Sequence, residues 1–335
     1  MNINTHTYSP VGPRSARSVH RGGHPDVGPW FRLLDRDRRL LSLLAEHKVL
    51  TTDQIASLEF ASVRRAQDRL RKLREMGMLF AFRESLFGGG TSQTRHALGY
   101  LGARLIAAQH AEKPPAPGAH ALMLERLAFS RILEHRLGVN DFFCALAAHR
   151  NPTRQHDTPP PEQAEGLTRW WSERQCSDFF QLDKYSGERV RLCPDGYGCW
   201  QQQDCIVRFF LEFDTGTEPL TTITRKLHAY YNFPTDDFGI LLFSLHSSRR
   251  EAAVRVVLYR ALRGYEPGLV IATTARDHTS GRPCRPGLGD THAPARQRRI
   301  RAMPTSRPAW TRTSHHSLNW HRPALKRSRL RPPRP

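Results

Sequence analysis

Four residues in the second half of the chain have types and spacing suited to phosphodiester chemistry: Asp195, Glu212, Asp214 and Lys226. Two carboxylates can hold Mg²⁺, and the metal then polarises a phosphate and activates water. A lysine nearby can stabilise the charge that develops. Glu212 and Asp214 are two apart in the apolar run Val207 to Phe213, so on a strand both point to one face. Asp195 closes a preceding run from Arg189 and is placed to face them. Lys226 lies one helix onward. Asp195 and Glu212 are the expected metal ligands, with Glu173, Glu125 and Glu134 as weaker acidic candidates. A plainer account of the same residues is a turn built on Pro194-Asp195-Gly196-Tyr197-Gly198, with Glu212 and Asp214 as strand-end charges.

The elements that would carry these groups alternate. Strands are expected over 169–173, 189–195, 206–214, 238–245 and 269–274, with helices over 221–231 and 249–263. Alternation of this kind predicts α/β packing for 121–275. A long helical region over 121–150, broken near Gly138-Val139-Asn140, leads into it, and a Pro/Ala/Gly/His linker over 110–120 precedes that.

A different pattern occupies 30–110. Leu33, Leu34, Leu40, Leu41, Leu43 and Leu44 repeat with helical spacing. Thr51 or Thr52 can cap a second helix with Ile55 and Leu58 inward, and Ser62 can cap a third. The third puts Val63, Ala66, Leu70 and Leu73 on one side and Arg64, Arg65, Arg69, Arg71 and Lys72 largely elsewhere. Gly77 stops it. Strand-like runs over 78–83 and 94–97 flank Gly88-Gly89-Gly90, and a helix over 100–109 follows. Three helices and a hairpin are the order of a winged helix-turn-helix. Its cations, with Arg95 on the hairpin, are the expected contacts to double-stranded DNA.

Composition sets the outer bounds. The 335 residues carry a formal net charge of +20 and 39% hydrophobic residues, which suits a foldable chain with a polyanionic partner. Arg276 to Pro335 holds 15 Lys+Arg against 2 Asp+Glu, so +13 belongs to this stretch and +7 to the rest. It reads either as a native basic tail or as out-of-frame translation. Residues 1–29 and 276–335 are expected to be disordered. No apolar run approaches a membrane span, and the six cysteines form no CxxC pair. Both point to a cytoplasmic protein.

The Asp195, Glu212 and Lys226 arrangement resembles the PD-(D/E)xK nuclease scaffold, with one departure: Glu212-Phe213-Asp214 stands where Glu-x-Lys is usual. Lys226 would then substitute, or activity is lost. More widely, the chain resembles the replication-relaxation family of actinobacterial plasmids and integrated elements over roughly residues 30–275. The resembling pieces are Arg95-His96-Ala97-Leu98-Gly99-Tyr100, Leu133 to Asp141, Trp170-Trp171-Ser172-Glu173, and Pro194-Asp195-Gly196 through Glu212-Phe213-Asp214-Thr215-Gly216-Thr217-Glu218, continued by Lys226 and Tyr230. The resemblance implies a DNA-binding protein of replication or DNA relaxation. The expected architecture is α+β: an N-terminal winged helix-turn-helix, then a restriction-endonuclease-like α/β domain, with disordered termini. Two alternatives stay open, a winged-helix transcription or copy-number regulator and an active metal-dependent nuclease.

Overall fold

The computed structural model describes residues 32–85, 89–153, 165–183, 189–202, 205–231, 239–263, 270–279 and 298–299. The predicted disorder of 1–29 lies outside these residues, as does most of 276–335. Where the tail was expected to begin, Arg276–Thr279 instead forms a 3-10 turn, and Arg276 donates to Ser244 O at 2.6 Å and Asp214 O at 2.7 Å.

The fold is mixed α+β. Helix α1 (Asp35–His47), strand β1 (Leu50–Thr51), α2 (Thr52–Glu59) and α3 (Val63–Glu75) are followed by a hairpin, β2 (Leu79–Phe82) and β3 (Arg95–Leu98), and by α4 (Tyr100–Gln109). The three short strands form one sheet in the order β1-β3-β2. The caps form as the sequence suggests. Thr51 Oγ1 accepts the Gln54 N–H at 3.2 Å while the Gln54 side chain accepts the Thr51 N–H at 2.9 Å, a reciprocal capping box. Ser62 caps α3, and Gly77, at φ +71, ends it. Leu40, Leu41, Leu44, Ile55, Leu70 and Leu73 close the core. Val63 departs from expectation: it lies in the first turn and is exposed.

Helix α5 (Pro117–Ala128) and α6 (Leu133–Ala147) come next. Residues 117–120, expected in a linker, are helical. The break in the 121–150 region falls at Phe129 to Ile132, not at Gly138. Gly138 lies inside α6 because Phe213 packs there: a Cβ would meet the ring at 2.5 Å. Helix α6 serves two cores. Leu133 and Leu137 pack with Val49, Phe82 and Ala97, whereas Val139 and Phe143 pack with Phe209, Leu211 and Phe213. Side-chain hydrogen bonds tie it to the first helices, from Gln54 Nε2 to Leu137 O at 3.0 Å and from Asn140 Nδ2 to Val49 O at 2.7 Å.

The larger sheet contains β4 (Gly166–Ser172), β7 (Gly196–Gln202), β8 (Cys205–Phe213), β9 (Ile240–Leu245), β10 (Val270–Ala275) and β11 (Arg298–Arg299), in the order β11-β10-β9-β8-β7-β4. Strands β8, β9 and β10 are parallel; β4, β7 and β11 pair antiparallel to their neighbours. Helices α8 (Leu220–Tyr231) and α9 (Ser248–Ala261) are the crossovers, and a parallel pair needs such a connection. Their Ile223, Leu227, Val254 and Leu258 cover Phe210 and Phe243, while α6 covers the other face. A short helix α7 (Glu173–Phe179) and a two-stranded ribbon, β5 (Gln181–Asp183) with β6 (Arg189–Arg191), lie between β4 and β7. The expected strand 189–195 therefore stops at Arg191, and Asp195 sits just before β7, a strand the turn-like composition concealed.

Candidate functional site

Acidic groups gather at the carboxyl ends of the parallel strands, the end of an α/β sheet where ligands bind. Gly196 pairs with Leu211, so one further step along the register places Asp195 beside Glu212. Glu212 is 4% exposed. Its Oε1 accepts the Tyr230 hydroxyl at 2.6 Å, and its Oε2 lies 3.0 Å from Lys226 Nζ. Burial and the neighbouring Asp195 charge push Glu212 up to about 7, against the pull of Lys226 and Tyr230. Burial opposes the Lys226 ammonium, yet the Glu212 and Asp195 charges outweigh it and raise its pKa. Tyr230 is pushed well up by burial and by Glu212.

Asp195 has its own partners. One oxygen lies 3.0 Å from His135 Nε2 and the other accepts the Phe213 N–H at 2.7 Å. The hydrogen bond it donates to Asp195 raises His135, against its burial. His135 reaches Asp195 from α6, a long-range approach that neither residue's local sequence signals. Thus Asp195, Glu212 and Lys226 come together, joined by His135 and Tyr230.

Asp214 does not join them. Arg250, at the start of α9, grips it through Nε at 2.8 Å and Nη2 at 3.3 Å, and the Gly216 N–H donates to it at 3.0 Å. Its role is to fasten the turn after β8 to α9. Of the weaker acids, Glu134 pairs with Arg95, and Glu125 and Glu173 are exposed.

The donor set can be tested against a divalent ion. Both Asp195 oxygens, both Asp214 oxygens and Glu212 Oε1 accept protein hydrogen bonds, and Lys226 covers Glu212 Oε2. Among the described residues no group of three His, Cys, Asp or Glu is placed to hold a metal. Protein donors hold both Asp195 oxygens, while Glu212 Oε2 is buried without a hydrogen bond and has only the Lys226 charge beside it. The group leaves a cavity of about 310 Å³ beside it, where Arg225, Lys226, Thr222 and Cys193 meet Glu212 and Tyr230.

The cations expected to meet DNA divide into two sets. Arg64, Arg65, Arg71 and Lys72 stand exposed on α3. Arg64 and Arg71 make loose pairs with Asp68 at 3.5 and 4.0 Å, and Arg71 another with Glu75 at 3.7 Å, of the kind that contributes little in water. Arg65 and Lys72 have no acidic partner among the described residues. Arg69 and Arg95 turn inward instead. Arg69 forks onto buried Asp37, with Nε at 3.0 Å from Oδ1, and reaches Arg32 O at 2.9 Å. Arg95 is 6% exposed and bridges Glu84 at 3.3 Å and Glu134 at 2.5 Å, clamping the hairpin to α6. His96 beside it is buried against Thr52, and burial lowers it to about 4.

A family profile described as replication-relaxation matches residues 41–237, more than half of the chain. The chain belongs to the replication-relaxation family. The match runs from α1 through α8 and takes in His135, Asp195, Glu212, Lys226 and Tyr230, but not Arg250. No curated protein and no solved structure matches the chain. Membership of the replication-relaxation family ties the protein to replication of plasmids and mobile elements and implies an interaction with DNA. Among the described residues no helix is long and apolar enough to cross a membrane.

Proposed function

We propose that this protein binds double-stranded DNA during plasmid or mobile-element replication, with residues 35–109 acting as a winged helix-turn-helix. The single observation carrying this reading is the outer face of α3, where Arg65 and Lys72 stand exposed and uncommitted beside the loosely paired Arg64 and Arg71. A third helix in this position enters the major groove in proteins of that architecture, and Arg and Lys on it contact phosphates and base edges. The sheet module is a nuclease-like scaffold that engages the same DNA without cutting it, since its carboxylates are committed to Lys226, Tyr230, His135 and Arg250.

The test is duplex affinity against salt, measured by fluorescence anisotropy on the full chain. Each phosphate contact contributes about 0.9 to the slope of log K against log salt. Arg65→Ala with Lys72→Ala should therefore flatten the slope by about 2, roughly a tenfold smaller loss of affinity between 50 and 200 mM salt. An unchanged slope and affinity would remove α3 as the reader.

One observation favours a second reading, an active nuclease: Asp195, Glu212 and Lys226 converge although they come from three separate elements. A plasmid nicking assay with Mg²⁺ or Mn²⁺, run beside Asp195→Ala and Glu212→Ala, separates the two. Metal-dependent nicking lost in both variants would replace the scaffold reading with the enzyme.

A further inference from the structure

Arg36, in the first turn of α1, is half-buried. Its guanidinium lies over the Phe60 ring, 4.2 Å from the centroid, and its Nε is buried with no hydrogen-bond partner among the described residues. A planar guanidinium stacked on an aromatic face is held in place while its outer N–H groups stay free for another partner. Beside that ring a groove of about 240 Å³ runs between α1 and α3, lined by Arg36, Phe60, Arg65, Asp68, Arg69 and Lys72. One water needs only about 10–15 Å³ measured this way, so the groove has room for a phosphate group and its hydration.

The charges of the groove do not balance. Arg69 is neutralised by Asp37 behind it. Asp68 is the carboxylate in the wall, and it is shared between Arg64 and Arg71, which lie outside the groove. Arg36, Arg65 and Lys72 form no ion pair and no side-chain hydrogen bond among the described residues. Setting both Asp68 and Asp37 against the four cations of the wall still leaves two positive charges.

The two sides of α3 differ in kind. Arg65, Arg69 and Lys72 stand at i, i+4 and i+7 and share the side toward α1. Arg64, Asp68, Arg71 and Glu75 form the adjoining stripe, linked by ion pairs at 3.5, 4.0 and 3.7 Å. That stripe carries two cations and two carboxylates, so it has donors and acceptors but no net charge. A net positive groove suits phosphates, whereas a neutral stripe with donors and acceptors suits base edges.

We propose that the groove seats the phosphate backbone of one DNA strand, with Arg36, Arg65 and Lys72 each against a phosphate, and that the stripe of Arg64, Asp68 and Arg71 faces the base edges. Arg65 and Lys72 are about 10 Å apart along the helix axis, so the groove follows a strand instead of gripping a single phosphate. The assignment rests on the docking of α3 proposed above. It adds Arg36 of α1 to that surface and divides the residues that position the duplex from those that read it.

The test uses the full chain, with duplex affinity measured against salt by fluorescence anisotropy and sequence preference measured by selection from a randomised duplex pool. Arg36→Gln should lower the slope of log K against log salt by about 0.9, which makes the affinity loss between 50 and 200 mM salt about 3.5-fold smaller. It should select the same sequences as the wild type. Arg36→Lys keeps the charge and should hold the wild-type slope, which a purely structural role for the guanidinium on Phe60 would not give. Arg64→Gln with Arg71→Gln should change the selected sequences. A wild-type slope in Arg36→Gln, while Arg65→Ala with Lys72→Ala still flattens it, would overturn the groove and leave α3 as the reader. Wild-type slopes in both would remove the docking of α3 and the groove with it. Identical selection by the wild type and the Arg64→Gln, Arg71→Gln variant would overturn the division between the two sides.

Discussion

Replacing Arg69 with alanine should destabilise the fold rather than weaken its grip on DNA. Asp37 has no solvent exposure. Its Oδ2 accepts the Leu34 N–H at 2.8 Å, which caps α1, and the Arg69 guanidinium neutralises it from a side chain only 17% exposed. Alanine at 69 leaves that carboxylate buried with one hydrogen bond and no counter-charge. Breaking a buried pair from one side costs about 3–5 kcal/mol, against a total stability on the order of 5–15 kcal/mol. At about 2–4 °C per kcal/mol for a folded unit of 150–250 residues, the loss in Tm is roughly 6–20 °C. The assay is urea and thermal unfolding followed by circular dichroism, with Arg65→Ala as the surface comparison, expected within about 0.5 kcal/mol of wild type. Arg69→Met combined with Asp37→Asn should recover most of the stability, because Asn keeps a carbonyl for the Leu34 N–H and the charge is gone. Arg69→Ala with a wild-type midpoint and lost DNA affinity would refute the reasoning and return Arg69 to the DNA surface.

The acid side of the stability profile should reflect buried titratable groups. Burial lowers His47 to about 3 and His96 to about 4, so from pH 6.5 down to about 4.5 both take up protons on unfolding, whereas Glu212, raised to about 7, releases one. Burial lowers His120 as well, so unfolding takes up more protons than it releases and stability should fall as the pH drops across that window. Glu212→Gln should steepen the slope of urea midpoints measured from pH 6.5 to 4.5; an unaltered slope would contradict the assignment. Gly138→Ala places a Cβ 2.5 Å from the Phe213 ring, an overpacking worth about 1–3 kcal/mol of destabilisation. Wild-type unfolding by that variant would show that α6 and β8 are not in close contact there.

Much of the first module was legible because its signals are local. Leucine spacing, Thr51, Ser62 and Gly77 mark three helices and their ends, and the Gly-rich run separates two strands. Arg69 was misplaced because charge alone says nothing about direction. Its spacing from Ala66 and Leu73 puts it on the buried side of α3, and the matching signal, Asp37, lies a whole helix away. Arg95 was misread for the same reason, since Glu134 is 39 residues distant. In the second module the alternation of strand and helix was readable, but β7 was not. Its glycines look like a turn, whereas they let rings lie flat on the sheet: a Cβ on Gly196 would meet Phe143 at 2.5 Å and one on Gly198 would meet Phe209 at 2.3 Å. Gly138 was taken for a helix break by the same local logic. At the site, Asp195, Glu212 and Lys226 were singled out by residue type and spacing, though the strand expected to carry Asp195 ends at Arg191, and the commitments of His135 and Arg250 depend on tertiary approach and leave no local mark.

The most direct test of DNA docking through α3 is contact mapping on the intact chain. A photo-crosslinkable residue introduced at position 65 or 72 should attach to duplex DNA on irradiation, and the adduct should disappear as salt rises. Crosslinks absent from both positions while the same protein still binds the duplex would contradict the account.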